Sequence, residues 1–483
     1  MINIIIDNHK SKLIGDLPFN VRKKIEMKTS FKYPNYFFVP QRGNWDGWIK
    51  LFDKNSTFPT GLLYYIISTL DDFKIKYSLI DKRKIYNKKN IKIENKNGII
   101  LRDYQEKALI DVIDNKRGIV RLPTGAGKTI LSAFIIKESG MYPNIFLVHR
   151  KSLLYQTIEV FKDFFGEDKV GQVGDNIVDF NPYVNVIMFQ TLSNIFDIKY
   201  ESLDSVEKDK TEIKNKIESS NKIQESKMII IDECHHAGAK TVRDIMKKMD
   251  NALWRIGLSA TPYRDDGCDL LIESYIGRII SSITASDLIK KGNLVNSRMR
   301  FIRYNPGGIK KRFKYDEIYK EEIVNNEYRN KIISEITLKQ SQLGRSTLIV
   351  VKHIEHGRNL LKILNEMNID AYFIEGKTKD KVRNEYLNKF KNKEVLVIIS
   401  TIFSEGVDIP SLDVLINAEG GKSPTATFQK VGRALRPYKD KKECIYIDFI
   451  DPYKFLLDHS NQRIKILETE DLFNVGIVNY EKK

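Results

Sequence analysis

Two successive series of short, β-rich runs, separated by stretches of helical periodicity, constrain this chain more than any other feature. The first series occupies 118–122, 144–148, 185–188, 228–231 and 255–258. The second occupies 346–351, 371–373, 395–399, 413–416 and 443–448. Most of these runs lack the alternation of apolar and polar residues that marks a half-exposed strand. They must be covered on both faces, as strands of a parallel sheet are when helices pack on either side. Two series therefore predict two tandem α/β domains. A polar, basic and turn-rich stretch at 87–98 reads as a linker. The expected division is a small α+β domain at 1–97, α/β domains at 98–294 and 295–450, and a C-terminal extension at 451–483. Within the first α/β domain, 201–227 is charged and nearly free of large apolar residues. It is expected to be a solvated insert between two strands.

Charge narrows the partners. The 483 residues carry a formal net charge of +17. Residues 1–100 hold 19 Lys/Arg against 9 Asp/Glu, so a fifth of the chain carries over half the excess. Such a field favours a phosphate backbone, although Lys-, Asn- and Ile-rich usage is also what an AT-rich genome produces. No apolar stretch reaches the roughly 20 residues of a membrane helix, and no secretory h-region follows the N-terminus. Cys234, Cys268 and Cys444 are odd in number and far apart. They suit a reducing cytoplasm and form no disulfide framework.

Two segments carry recognisable chemistry. Leu122-Pro-Thr-Gly-Ala-Gly-Lys-Thr129 follows a predicted strand and opens a predicted helix, the context a phosphate-binding loop requires. Gly125 and Gly127 let the backbone of Thr124–Thr129 turn its N–H groups toward phosphate oxygens. Lys128 is expected on the β- and γ-phosphates of ATP, and Thr129 on Mg²⁺. The strict eight-residue pattern has Gly where this chain has Leu122. Asp232-Glu-Cys-His235 follows the apolar run 228–231. A carboxylate at the C-terminal end of a parallel strand points into the ligand crevice. Asp232 is expected to hold Mg²⁺ through water, and Glu233 to orient and deprotonate the attacking water. A metal site of Cys234, His235 and His236 is set aside, because adjacent residues rarely converge on one ion.

These segments, with Ser259-Ala-Thr261 after them, resemble superfamily 2 helicases. Leu101-Arg-Asp-Tyr-Gln105 looks like the adenine-reading motif of the branch that includes repair and restriction translocases. Phe403-Ser-Glu-Gly-Val-Asp-Ile-Pro410 and Gln429-Lys-Val-Gly-Arg-Ala-Leu-Arg436 resemble the family's fifth and sixth motifs. The resemblance implies two RecA-like domains and ATP hydrolysis. It places Gln105 on the adenine, with Arg102 nearby, and Gly406 and Asp408 against the nucleotide or coupling the domains. Gln429 is implied near the lytic water, with Arg433 and Arg436 as arginines that complete charge neutralisation on domain closure. These two sit three apart on a helix expected from Thr425. Ser259 and Thr261 are implied as coupling residues. Arg150, Lys151, Gln190, Thr191, Lys352 and Thr401 fall in segments that match the family's nucleic-acid track.

The segment from Gln41 to Asp53, with Phe58-Pro-Thr-Gly-Leu62, resembles the small domain that precedes the motor in UvsW-type helicases of tailed phages. The implied activity is an ATP-dependent DNA helicase or branch-migration translocase, working on branched, duplex or single-stranded DNA in recombination, repair or fork processing. A monomer is the family default, and the implied location is the cytoplasm, that of the host if the chain is phage-encoded. The motifs begin at Leu101, so 1–97 is expected to be separable from the motor. Rival readings are an RNA helicase, and the motor subunit of a restriction system. A non-enzymatic pseudo-motor is disfavoured by the presence of Lys128, Asp232, Glu233 and Arg436.

Overall fold

The computed structural model describes residues 1–33, 36, 45–83, 96–196, 218–235, 239–261, 268–305, 314–402, 409, 411–439 and 441–481. Gly406, Asp408, His236 and the 41–44 part of the Gln41–Asp53 segment lie outside them. The chain divides into two compact units. One comprises Met1–Leu122 and Gly127–Ser282, the other Pro123–Ala126 and Ile283–Lys483.

The first unit is built on an eight-stranded sheet. Its spatial order is Ile177–Asp179, Val170–Gly174, Val184–Met188, Asn144–Val148, Met228–Ile231, Trp254–Ser259, Arg117–Arg121 and Ile279–Ser282. All neighbours are parallel except the first pair. The central strands Asn144–Val148, Met228–Ile231 and Trp254–Ser259 are buried at every residue, as their unbroken apolar character requires. Helices Lys128–Ser139 and Lys151–Phe165 bury Phe134, Phe161 and Phe164. The five expected strands of the first series are present. The three missed strands, Val170–Gly174, Ile177–Asp179 and Ile279–Ser282, are glycine-containing, fully exposed or partly exposed.

The N-terminal residues form a four-stranded sheet, Thr57–Pro59, Lys10–Ile14, Ile2–Ile6 and Tyr77–Asp81. Helices Phe19–Lys28 and Leu63–Asp72 add Ile25, Ile66 and Leu70 to its core, and Leu270 of the large-sheet portion packs against that core. The N-terminal sheet belongs to the first unit. Gly61 runs so close to the helix Asp269–Ile276 that a Cβ there would lie 2.2 Å from the Glu273 carbonyl oxygen. Arg117 Nη1 donates to the Asn8 carbonyl (2.8 Å), and Asn8 Nδ2 donates to the carbonyls of Asp250 (2.6 Å) and Ala252 (3.1 Å). The separability expected from motif positions therefore ignored a shared polar core. Ile223 corrects a second expectation, because it is buried in the hydrophobic core of the same unit. The described end of the 201–227 insert packs, and residues 201–217 lie outside the described ones.

The second unit carries a seven-stranded sheet, all parallel. Its order is Ala371–Ile374, Val397–Ser400, Thr347–Val350, Val414–Asn417, Glu443–Ile450, Asn296–Arg303 and Phe473–Asn479. Residues 451–481 supply the helix Lys454–Leu467 and the edge strand Phe473–Asn479. Among the described residues, no helix is long and apolar enough to cross a membrane.

Candidate functional site

The strand Arg117–Arg121 delivers the chain into the glycine-rich loop, and the helix Lys128–Ser139 leaves it. Gly125 (φ 87°) and Gly127 (φ 76°) adopt left-handed conformations that a side chain would oppose. At Gly127 an added Cβ would also lie 2.5 Å from Gln105 Nε2. Gln105 Nε2 donates to the Gly127 carbonyl (3.3 Å), while its Oε1 accepts from the Arg102 N–H (2.9 Å). The side chain expected on an adenine is thus anchored between the start of its own helix and the phosphate loop. Arg102 Nη1 donates to the Tyr104 hydroxyl (3.0 Å).

Asp232 and Glu233 leave the buried strand Met228–Ile231 at its C-terminal end. Glu233 takes a left-handed backbone, φ 46°, costly for a residue with a Cβ and typical of a position held by its surroundings. What holds it is visible on three sides. Lys128 Nζ donates to Glu233 Oε1, the Ala260 N–H lies 3.5 Å from Glu233 Oε2, and His235 Nδ1 lies 3.5 Å from the same oxygen. Beneath it, Gly257 leaves room for Cys234: a Cβ at 257 would lie 2.9 Å from Cys234 Sγ. Burial, then the neighbouring Glu233 charge, pushes the Asp232 carboxyl up to about 6, with Lys128 acting in the opposite direction.

These residues fit Mg²⁺–ATP chemically. Asp232 and Thr129 offer hard oxygen ligands of the kind Mg²⁺ prefers. Asp232 is buried beside the Glu233 carboxylate, and Lys128 Nζ is engaged by Glu233, so a divalent cation would add positive charge at Asp232. The buried Thr124 hydroxyl has no hydrogen-bond partner among the described residues. Among the described residues no cluster of three or more His, Cys, Asp and Glu could hold a metal ion. The oxygens of a nucleotide and water would have to complete the shell.

His235, set aside as a metal ligand on sequence grounds, has a place in this network. It is buried, and its Nδ1 lies 2.7 Å from Ser259 Oγ; Ser259 Oγ in turn donates to the Thr261 carbonyl. Ser259 and Thr261 therefore join Glu233 through one imidazole. The signal was present in the sequence, since a histidine two residues after Glu233 can turn back onto the adjacent strand.

The remaining residues separate into groups. Arg150 and Lys151 follow the strand Asn144–Val148, Gln190 and Thr191 follow its neighbour Val184–Met188, and His149 stacks on Phe189 at 4.7 Å. Lys151 is ion-paired to Asp175 (2.7 Å). In the second unit Lys352 and Thr401 follow the adjacent strands Thr347–Val350 and Val397–Ser400. Each pair lies at the carboxyl edge of its sheet. Gln429 is buried and Arg433 lies in the last turn of the helix Pro424–Ala434. The helix stops before Arg436, contrary to the expected single face carrying both arginines.

Comparison with known proteins gives a consistent set of likenesses. Residues 98–264 match the family described as type III restriction enzyme, res subunit, and residues 328–438 match the helicase conserved C-terminal domain. The chain is 26% identical over 474 residues to the ATP-dependent DNA helicase uvsW of Enterobacteria phage T4, covering 93% of this chain and 90% of that protein. It is 27% identical over 422 residues to the DNA 3'-5' translocase XPB2 of Sulfurisphaera tokodaii, covering 77% and 88%. Its fold is like that of the type ISP restriction-modification enzyme LlaBIII, solved bound to DNA. That likeness has a TM-score of 0.58 at 16% identity and covers 86% of this chain and 34% of the enzyme.

Proposed function

We propose that this chain, which belongs to the superfamily 2 helicases and resembles their UvsW type, couples ATP hydrolysis to the remodelling of branched or duplex DNA in recombination, repair or fork processing. It is an ATP-dependent DNA helicase. The observation that carries the reading is the convergence of Lys128, Asp232 and Glu233 beside a loop whose glycines are in left-handed conformations.

The chemistry follows from that geometry. Phosphoryl transfer needs charge neutralised at the γ-phosphate more than it needs covalent help. Lys128 is shared between Glu233 and the β- and γ-phosphates of the substrate. As the phosphates engage the ammonium, Glu233 is released to accept a proton from the attacking water. His235 keeps the Glu233 carboxylate oriented and reports its state to Ser259 and Thr261. Thr129 and Asp232 would hold Mg²⁺, which would supply charge neutralisation at the phosphate oxygens. Gln105 positions the adenine edge, with Arg102 nearby; Gly406 and Asp408 are assigned to the nucleotide on sequence grounds. Gln429 is assigned to the lytic water, and Arg433 and Arg436 to the γ-phosphate charge that develops on transfer. Arg150, Lys151, Gln190, Thr191, Lys352 and Thr401 are assigned to the phosphates of the polymer, which they grip without reading sequence. We take the working form as a cytoplasmic monomer.

ATP turnover measured with single-stranded, duplex, forked and four-way DNA, and with RNA, tests this reading. DNA is expected to stimulate most, with branched forms foremost. Equal or greater stimulation by RNA would overturn the choice of substrate. The match at 98–264 to a restriction subunit gives a second reading some support; it requires DNA cleavage in the same assay.

A further inference from the structure

The second unit contains a cavity of about 590 Å³ that the catalytic assignments do not use. It opens where Thr347–Val350 and Val414–Asn417 run side by side. The chain then leaves these strands in opposite directions across the sheet, toward Ala371–Ile374 on one side and Glu443–Ile450 on the other. Such a divergence creates a crevice at the carboxyl ends of the strands, where open α/β sheets bind ligands.

Its lining combines two chemistries. Lys352 and Lys422 are exposed at its mouth, and among the described residues neither forms an ion pair. Lys430 and Arg463 deeper in are already neutralised, Lys430 by Glu419 (2.5 Å) and Arg463 by Asp448 (2.8 Å). The positive charge left over is therefore at the mouth. The wall opposite is aromatic. Tyr315 sits 6.5 Å from the Phe455 ring and 5.5 Å from the His459 ring, and His459 Nδ1 is buried with no hydrogen-bond partner among the described residues. Rings with an unused polar atom beside them, next to two ammonium groups that carry no counterion, of which Lys352 Nζ lies 5.6 Å from the centre of the Tyr319 ring, suit a base and its phosphate. Stacking on aromatic side chains is tolerant of base identity.

We infer that this cavity takes one unpaired nucleoside phosphate unit, its base against Tyr315 and Phe455 and its phosphate at Lys352 and Lys422. The inference rests on the nucleic-acid reading above and adds to it a pocket for an extruded base. Holding one base out of the stack gives the second unit a grip on an opened strand that phosphate contacts alone do not provide.

The test uses the full chain and a single-stranded oligonucleotide with 2-aminopurine at one position, with free dAMP as a second probe. Stacking in the pocket should quench the 2-aminopurine fluorescence. Lys422→Glu and Phe455→Leu should each abolish the quenching and weaken binding about tenfold, with unchanged melting temperatures as the folding control. If free dAMP binds with the same dependence on both residues while the oligonucleotide is unaffected, the shared chemistry holds and the source is a free nucleotide. If wild-type ATP turnover is stimulated by DNA but neither probe responds to either substitution, the pocket assignment is wrong and the motor reading stands. Absence of any DNA stimulation would instead remove the reading on which the pocket rests.

Discussion

Among the described residues each unit buries two arginines, and the two units neutralise them in different ways. In the second unit Arg329 Nε donates to Asp451 (2.7 Å), and Arg463 meets both oxygens of Asp448 (2.8 Å each). Burial alone would lower both guanidinium pKa values, but the paired aspartates outweigh it and raise them. In the first unit Arg117 and Arg255 contact no carboxylate among the described residues. Arg117 donates to the carbonyls of Asn8 and Tyr275, and Arg255 to those of Ala252 and Met249 and to His9 Nδ1 (3.2 Å). Burial goes largely uncompensated there. It drives Arg117 well below its usual value and Arg255 down to about 9. The second unit carries its own counterions, whereas the first borrows acceptors from the turn at Asn8 and His9. The N-terminal sheet is thus part of what makes the first unit's interior tolerable for charge.

Deleting residues 1–97 should have the largest effect. It removes the Asn8 and His9 acceptors and uncovers Leu270 and the stretch of the helix Asp269–Ile276 against which Gly61 runs. Each buried donor left unpaired costs about 1–3 kcal/mol, added to the exposed apolar surface. The fragment is expected to lose cooperative melting of the first unit and ATP turnover together. A soluble fragment with the melting temperature of the full chain would break the comparison.

Asp448→Asn should come next. It leaves Arg463 buried without its anion, a change that costs about 3–5 kcal/mol. Calorimetry should show the transition of the second unit fall by roughly 10 °C, while Arg255→Met, which strands no carboxylate in direct contact, shifts the first unit's transition less. The reverse order would mean that the carbonyl-paired arginines are the more tightly integrated pair.

The smallest effect concerns pH. Burial, then Arg255, pushes the His9 pKa down to about 4, against the pull of Asp250. Neutral His9 donates from Nε2 to Asp250 and accepts Arg255 at Nδ1. Because its folded pKa lies below the ordinary 6.5, its contribution is complete above pH 6.5 and is lost as pH falls toward 4. Denaturant midpoints should decline across that window in the wild type. The decline should be shallower in His9→Gln; identical slopes would place the titration elsewhere.

Much of this was legible from sequence, because the residues concerned obey local rules. All ten expected strands exist, since an unbroken apolar run has few other places to go. Lys128, Asp232 and Glu233 could be anticipated because strand ends and glycine-rich turns fix where their side chains emerge. Asn296–Arg303 was missed because Arg298, Arg300 and Arg303 interrupt it; its burial alternates, with Ser297, Met299 and Phe301 facing inward. Ile223 was missed because one isoleucine among charges carries no periodicity. The Asn8–Arg117 and His9–Arg255 contacts join positions more than a hundred residues apart, and nothing local marks them.

The central claim is that Lys128 neutralises phosphate charge at the ATP site and is no part of the grip on nucleic acid. Lys128→Ala tests it most directly, with ATP turnover and DNA affinity measured on the same preparation. Turnover should vanish while the affinity for forked DNA stays within about twofold, since the ammonium acts on the phosphates of the nucleotide. Turnover at the wild-type rate would contradict the claim, and so would a loss of DNA binding with hydrolysis intact.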